Sequence, residues 1–432
     1  MKEVPFRLGR SRITLRLPDN AHLYASRYPA PSLASADTVA RAVHAPAGSP
    51  PLAKTLARRR PGPVVVVVSD STRPIPYADF LPSLMADIGN AGIPRDDTVI
   101  LIATGMHRPS TPAERTEMFG REVAGGYRIV DHRADEKESL LELPGPSASG
   151  ARVRLNRLYM EAGFRLVTGL VEPHFMAGFS GGRKAVCPGL ASLDTVRNFH
   201  SAAFLADART ANAVLEGNLL HAEALSVARM APPDFTLNLV LDPERRVAGA
   251  FAGALEPAHE AACGFVQECA CRPVASPADL VITSSGGYPL DATFYQCVKG
   301  FVSCLPAVRS GGTVVSFGSC TEGVGSAEYA GLMKEWSGHW RGFLAHIREG
   351  GNFTRDQWQF QMHARALEKI GEAGLHFVTD GLPARALRSL SVTGHLAAPG
   401  KAGEEVQKLV DRLVAGSSSV AAFPEGPYCV PL

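Results

Sequence analysis

The chain has 432 residues, 45% of them hydrophobic and 20% charged, with a formal net charge of +2. That length suits two or three globular domains, and so balanced a charge excludes a concentrated basic surface for nucleic acid or an anionic membrane. No apolar run approaches the roughly 20 residues that span a bilayer, and the N-terminal "MKEVPFRLGRSRITLRLPDN" lacks a signal-peptide core, so a cytoplasmic protein is expected.

In chain order, the first twenty residues alternate like a strand. Residues 30–60, rich in Ala, Pro and Ser, predict one short helix. The basic run "ARRRPGP" at 57–63 reads as the solvated end of a helix before a strand, not as a polyanion site. "PVVVVVSD" at 63–70 is an unbroken β-branched run, as in a strand covered on both faces in a parallel sheet. "YADFLPSLMADIGNAGI" then predicts a helix, and "DTVILIATGMH" at 97–107 a second buried strand. Together they form a βαβ unit. "RLVTGL" at 165–170 and "FTLNLVLD" at 235–242 predict two more buried strands.

"CACRPVASPADLVITSSGG" at 269–287 marks a domain change, with a new strand in "DLVITSS". "GGTVVSFGSC" at 311–320 and "LHFVTD" at 375–380 continue a second α/β pattern. Apolar residues at 406, 409, 410, 413 and 414 give "GEEVQKLVDRLV" helical spacing, on a helix able to pack on either domain. No repeat at solenoid spacing occurs. The eight cysteines are too sparse for a disulfide framework, and Cys263, Cys269 and Cys271 lack a zinc-knuckle spacing. The expected fold class is α/β: two α/β domains with mainly parallel sheets, 1–268 and 276–400, and an active site in the cleft between them.

Ligands of open α/β sheets bind beyond the carboxyl ends of the strands. The first strand is followed by Asp70, Thr72 and Arg73, the second by His107 and Arg108, and the third by Glu172, His174, Arg183 and Lys184. The first strand of the second half is followed by Asp291, Tyr295, Gln296 and Lys299. Each has a plain structural reading. Arg73 before Pro74 suits a turn with an ion pair, Asp70 a helix cap, and either histidine alone a satisfied loop residue. Their coincidence at four strand ends points to an enzyme active site. Two histidines at separate strand ends suggest two proton-transfer groups on one substrate.

The glycines of "GFSGGRK" do not match G-x-x-x-x-G-K-[ST], because Arg183 precedes Lys184 and Ala185 follows it. No dinucleotide fingerprint follows the early strands. Gly178, Gly181 and Gly182 still permit close backbone approach to an anion. Lys184 is open to three readings: phosphate contact, covalent nucleophile or solvent-exposed residue. His200, predicted on a helix, cannot hold a metal without other ligands.

Taken together, "DSTRPIP", "ATGMHRP", "EPHFMAGFSGGRKAVCPGLAS", "NFH", "GYPLDATFYQCVKG", "DQWQFQ" at 356–361 and a late "PEGPY" resemble the nickel-pincer lactate racemase family of α-hydroxyacid racemases and epimerases. The likeness runs in order from about residue 64 to 430. It implies a larger first domain that takes back the C-terminal segment 403–432. It implies a nickel-pincer nucleotide (a pyridinium mononucleotide with thioamide and thiocarboxylate groups) tethered through Lys184, with His200 as the protein's nickel ligand. Such a cofactor is loaded with the help of cofactor-synthesis enzymes. His107 and His174 become the bases for the substrate hydroxyl, while the α-hydrogen passes to and from the cofactor as hydride. Arg73 and Lys299 become carboxylate clamps, with Tyr295, Gln296 and Trp358 lining the pocket. Asp70, Thr72, Gly181 and Gly182 are assigned to the cofactor or to Arg73. Met106 and Thr293–Phe294 depart from the family pattern near the pocket. The competing readings are a nicotinamide-linked 2-hydroxyacid dehydrogenase and a non-catalytic carrier of the cofactor or an organic anion. The absent dinucleotide motif argues against the first and the paired histidines against the second.

Overall fold

The computed structural model describes residues 1–349 and 353–432. The chain divides into two compact units. One is continuous, Tyr28–Cys269; the other joins Met1–Arg27 to Ala270–Leu432. Both are α/β units built on mainly parallel sheets, as the sequence predicts.

The chain opens with an antiparallel hairpin, β1 (Lys2–Leu8) and β2 (Ser11–Leu17), and a short strand, β3 (His22–Leu23). It then enters the continuous unit. Residues 30–60 form two helices, Ser35–His44 and Leu52–Leu56, where one is expected. Pro50 and Pro51 stand between them, and proline interrupts a helix by removing an N–H and restricting the preceding residue.

The sheet of this unit is built from β4 (Val64–Ser69), β5 (Thr98–Ala103) and β6 (Arg128–Asp131), then, after a side hairpin β7 (Leu140–Pro146) and β8 (Arg152–Asn156), from β9 (Phe164–Leu170). A two-residue ladder, β10 (Pro173–His174) with β11 (Gly178–Phe179), follows β9 directly. β12 (Phe235–Leu241) and β13 (Val247–Gly253) complete the order β13-β12-β9-β4-β5-β6, antiparallel only at β13. Val64 to Val68 lie in the middle of the sheet and are fully buried. Helix Tyr77–Asn90 turns Phe80, Leu81, Leu84 and Ile88 onto that core. At roughly 1.5–3 kcal/mol per large apolar side chain removed from water, this packing outweighs the break that Pro82 makes inside the helix.

The strand order sets the position of the site. From β4 the chain steps outward through β5 to β6, then returns to the other side of β4 for β9 and β12. The carboxyl ends of β4 and β9 therefore flank a topological switch point.

The second unit contains β14 (Cys271–Arg272), β15 (Ala278–Ser284), β16 (Val308–Phe317), β17 (Leu375–Thr379), β18 (Thr393–Leu396), β19 (Val420–Phe423) and β20 (Val430–Pro431). Its six-stranded sheet runs β18-β17-β16-β15-β19-β3, parallel throughout. The expectation that 403–432 returns to the first domain is corrected here. Helix Ala402–Val414 buries Val406, Leu409 and Val410 with Leu15 and Leu17 of β2 and Leu280, Ile282 and Val315 of β15 and β16. β19 then supplies the hydrogen-bonding partner that the inner strand β15 needs on its second edge. The N-terminal hairpin belongs to the same core, so the first 27 residues also leave the domain expected for them.

All eight cysteines are buried thiols. Among the described residues, no helix is long and apolar enough to cross a membrane, and no three His, Cys, Asp or Glu side chains are grouped to hold a metal.

Candidate active site

The residues expected after β4, β5 and β9 meet at the switch point of the continuous unit. Asp70 directly follows β4 and is buried. Its Oδ2 lies 2.5 Å from His107 Nδ1, on the loop after β5. Its Oδ1 accepts from the Thr72 hydroxyl at 2.6 Å and the Thr72 N–H at 3.2 Å. Burial raises the Asp70 pKa, but the neighbouring His107, the hydrogen bonds from His107 and Thr72, and the charge of Arg73 outweigh it. The carboxyl is thus held below its ordinary range and stays ionised. A carboxylate on Nδ1 fixes the ring and makes Nε2 the basic nitrogen of neutral His107. The His107 side chain is 53% exposed, so it faces solvent while its orienting carboxylate does not.

Arg73 Nη1 donates to Glu172 Oε1 at 2.6 Å, tying the loop after β4 to the loop after β9. Glu172 continues into the β10–β11 ladder, where His174 pairs with Gly178. Ser180 closes its base, accepting from the Glu172 N–H and donating to the Leu170 carbonyl. His174 Nδ1 accepts from the N–H groups of Met176 and Ala177, both at 3.2 Å. That makes Nδ1 the acceptor and puts the ring proton of neutral His174 on Nε2. Nε2 sits 2.8 Å from Lys184 Nζ.

Gly181 and Gly182 have structural reasons of their own. Gly181 has φ +73°, and a Cβ there would come within 2.4 Å of Val171 Cγ2. Gly182 has φ +50°, and a Cβ there would meet the His259 ring at 2.6 Å. The Gly182 N–H donates to Asn238 Oδ1 at 2.9 Å. The loop is therefore pinned by β12 and by helix Leu255–Ala270, which Asn238 and His259 occupy.

His200 caps helix Leu193–Phe199, whose first turn is capped by Ser192. Its Nδ1 lies 3.0 Å from the Val196 carbonyl, so Nδ1 carries the proton and Nε2 the lone pair. Burial and the charge of Lys184 push its pKa down to about 3, against the opposing pull of the carbonyl. This is the tautomer and charge state of a metal-ligating imidazole whose second nitrogen is fixed by a carbonyl. Lys184 Nζ lies 6.0 Å from the ring centre of the adjacent Phe199, which places the amine and His200 in one neighbourhood. Lys184 and His200 therefore fit a group that attaches to an amine and brings its own metal ligands.

The remaining expected residues belong to the second unit. Tyr295, Gln296 and Lys299 lie on helix Phe294–Ser303, capped by Thr293. Gln296 and Lys299 are three apart and Tyr295 and Lys299 four apart, so they share one side of the helix. Trp358 Nε1 donates to the Tyr295 hydroxyl at 2.9 Å. Burial pushes the Tyr295 phenol pKa well up, and it stays protonated. Gln296 keeps a buried Oε1 with no hydrogen-bond partner.

Tyr77, Thr168, Asn238 and His259 escape the sequence reading. Tyr77 accepts from the Ser69 N–H at 2.7 Å and lies 2.9 Å from the Thr168 hydroxyl, which fastens β4 to β9 beneath the site. Asn238 braces the glycine loop. Arg183 is fully buried and donates to the carbonyls of Ala177 and Gly181, and it lies 2.8 Å from His259 Nε2. Only Asn238 and Thr168 carried a signal: a polar residue inside an apolar strand needs a partner.

Comparison with known proteins places the chain in a family. Residues 8–212 match the family model described as lactate racemase N-terminal domain, and 274–426 the lactate racemase C-terminal domain. The chain is 34% identical to a lactate racemase of Thermoanaerobacterium thermosaccharolyticum over 98% of this chain and 97% of that protein. It is 36% identical to one of Lactiplantibacillus plantarum over 68% of each. The lactate racemase apoprotein structure from T. thermosaccharolyticum superposes with a TM-score of 0.90 at 32% identity, covering 100% of both chains. A Thermotoga maritima protein shares the fold at a TM-score of 0.66 and 18% identity, covering 89% of this chain and 99% of that one. With both family models matched, and in order, along a chain whose strand ends carry the expected side chains, the protein belongs to the lactate racemase family.

Proposed function

We propose that this chain inverts the α-carbon of a lactate-like 2-hydroxy acid, as a racemase or epimerase, with a nickel-pincer nucleotide attached to Lys184. The observation that carries the reading is the pair of oppositely prepared imidazoles after β5 and β9, the two strands that flank β4. His107 is oriented by Asp70 to present a basic Nε2, and His174 is oriented by two backbone N–H groups to present Nε2–H. Inversion needs a proton acceptor and a proton donor for the substrate hydroxyl, whose roles exchange with the enantiomer.

Lys184 would hold the cofactor covalently and His200 would bind its nickel through Nε2. When bound, the group supplies a reversible acceptor for the substrate α-hydrogen as hydride. Everything else falls to the chain. One histidine takes the hydroxyl proton as the hydroxyl carbon becomes planar, and one returns it after inversion. Arg73, held by Glu172, binds the substrate carboxylate with charge-assisted hydrogen bonds. In this reading Lys299 is a second carboxylate contact, and Tyr295, Gln296 and Trp358 complete the substrate pocket. Asp70 and Thr72 serve His107 in the geometry described. Gly181 and Gly182 bring the backbone beside Lys184 to the cofactor.

The test uses protein produced alongside cofactor-synthesis enzymes, the partners this reading implies. Intact-mass and peptide mapping are expected to show a mass addition at Lys184, absent in Lys184→Ala. Single enantiomers of a 2-hydroxy acid panel are expected to racemise or epimerise on chiral chromatography. Nickel-loaded protein that inverts no member of a broad panel overturns the proposal.

A further inference from the structure

A cavity lies in the continuous unit, lined by none of the residues assigned to substrate and cofactor. It has a volume of about 630 Å³ and opens between helices Leu219–Met230 and Leu255–Ala270. That is within the range of small-molecule sites, roughly 300–1,000 Å³. Its lining is graded in charge. Arg183, 1% exposed, stands at the buried end. Glu216 and Glu260 stand at the exposed end. Arg229 and Glu256 also line it, but they satisfy each other through hydrogen bonds of 2.9 and 2.6 Å. Leu225 and Leu255 form apolar wall between the two ends.

Among the described residues, no carboxylate pairs with Arg183 at the buried end. The hydrogen bonds of Arg183 go to carbonyls and to His259, and its Nε is buried without a partner. His221 Nδ1, in the same lining, is also buried without a partner. A desolvated guanidinium with neither a carboxylate nor a full set of acceptors is a costly arrangement unless something completes it. Burial and the charge of Arg183 hold His221 down at about 4, so it is neutral at pH 7 and able to donate one hydrogen bond. The unneutralised groups are thus a cation with a donor inside and two carboxylates outside.

We propose that this cavity binds a small amphoteric carboxylate of the class of a free apolar amino acid. The ligand carboxylate meets Arg183 and His221, the ammonium group meets Glu216 and Glu260, and the side chain lies on Leu225 and Leu255. A simple anion is disfavoured by the acidic rim, and a simple amine leaves the guanidinium unanswered. Because Arg183 also holds the Ala177 carbonyl and precedes Lys184, occupancy stiffens the loop that carries His174.

The experiment is isothermal titration calorimetry of the full chain with L-leucine, 4-methylpentanoate and 3-methylbutylamine as probes. Leucine is expected to bind at one site, and each single-charge analogue at least tenfold more weakly. Leu225→Trp, which fills the cavity, is expected to abolish leucine binding, and Ala222→Phe at its rim repeats that test should the first variant misfold by circular dichroism. Glu260→Gln is expected to weaken leucine several-fold and to leave 4-methylpentanoate unchanged. No saturable leucine binding, leucine binding retained in a folded cavity-filling variant, or 4-methylpentanoate binding as tightly as leucine each overturn the proposal. Arg73→Ala keeps leucine binding if the cavity is the site, and loses it if the ligand sits instead at the candidate active site.

Discussion

Asp70 shows how one buried carboxylate organises the proposed chemistry. It is ionised inside the protein only because His107, Thr72 and Arg73 compensate its burial. Asp70→Asn keeps the shape and removes the charge that selects the His107 tautomer. The expected result is a fall in turnover of about 10²- to 10⁴-fold, the usual worth of a correctly poised acid–base group, with an unchanged circular dichroism spectrum. Stability carries a second signature. The folded pKa is depressed, so the stabilisation is present above the unfolded value of 3.8 and is lost as pH falls through the lower folded value. Urea unfolding followed downward from about pH 5, roughly one unit above the unfolded value, is expected to show this loss in the wild type and a flatter curve in Asp70→Asn. At this scale the sequence was legible in part. His107, His174 and Lys184 were visible because chemistry clusters after strands. That Asp70 serves His107 was not, because the two are 37 positions apart and only the pairing of β4 with β5 brings them together.

Elements decide how rigidly those side chains are held. The β10–β11 ladder and the glycine loop leave no room for a methyl group at Gly181, where a Cβ would approach Val171 Cγ2 at 2.4 Å and the conformation is left-handed. Gly181→Ala is expected to cost about 1–3 kcal/mol and to raise hydrogen exchange across 174–184, measured by mass spectrometry. The "GFSGG" motif thus reads correctly as a place that needs glycine, but the need comes from β9, β12 and His259 packing behind the loop. Helix Ala402–Val414 makes the complementary point. Its apolar spacing announced a buried face and left open which sheet covers it. Leu409, 2% exposed, packs with β2, β15 and β16, so Leu409→Ala is expected to cost about 2–5 kcal/mol. Denaturant unfolding with a probe in each unit assigns the loss to the unit that joins the two chain ends. A loss confined to Tyr28–Cys269 contradicts the packing described.

At the scale of the whole molecule, buried neutral histidines set the acid limit. Burial pushes His132 down to about 4 and His363 down to about 3. In the unfolded chain both bind protons below about 6.5, while in the folded chain they do not. Stability therefore falls as pH drops from about 6.5 towards those folded values, at about 1.4 kcal/mol per pH unit for each histidine. Native-state hydrogen exchange at pH 6.5, 5.5 and 4.5 (about a unit apart) is expected to report that slope, and His363→Leu to reduce it in the unit that holds His363. By itself the sequence determined the α/β class, the buried strands and the residues at their ends. Those follow from local pattern, since a β-branched run and the polar segment behind it are contiguous in the chain. The tertiary structure alone decided the order of the strands, which put Arg73 beside Glu172 and His107 beside Asp70. It alone decided that both chain termini complete the second sheet. Strand pairing and helix docking depend on long-range complementarity between faces of similar hydrophobicity, and no stretch of sequence contains its partner's surface.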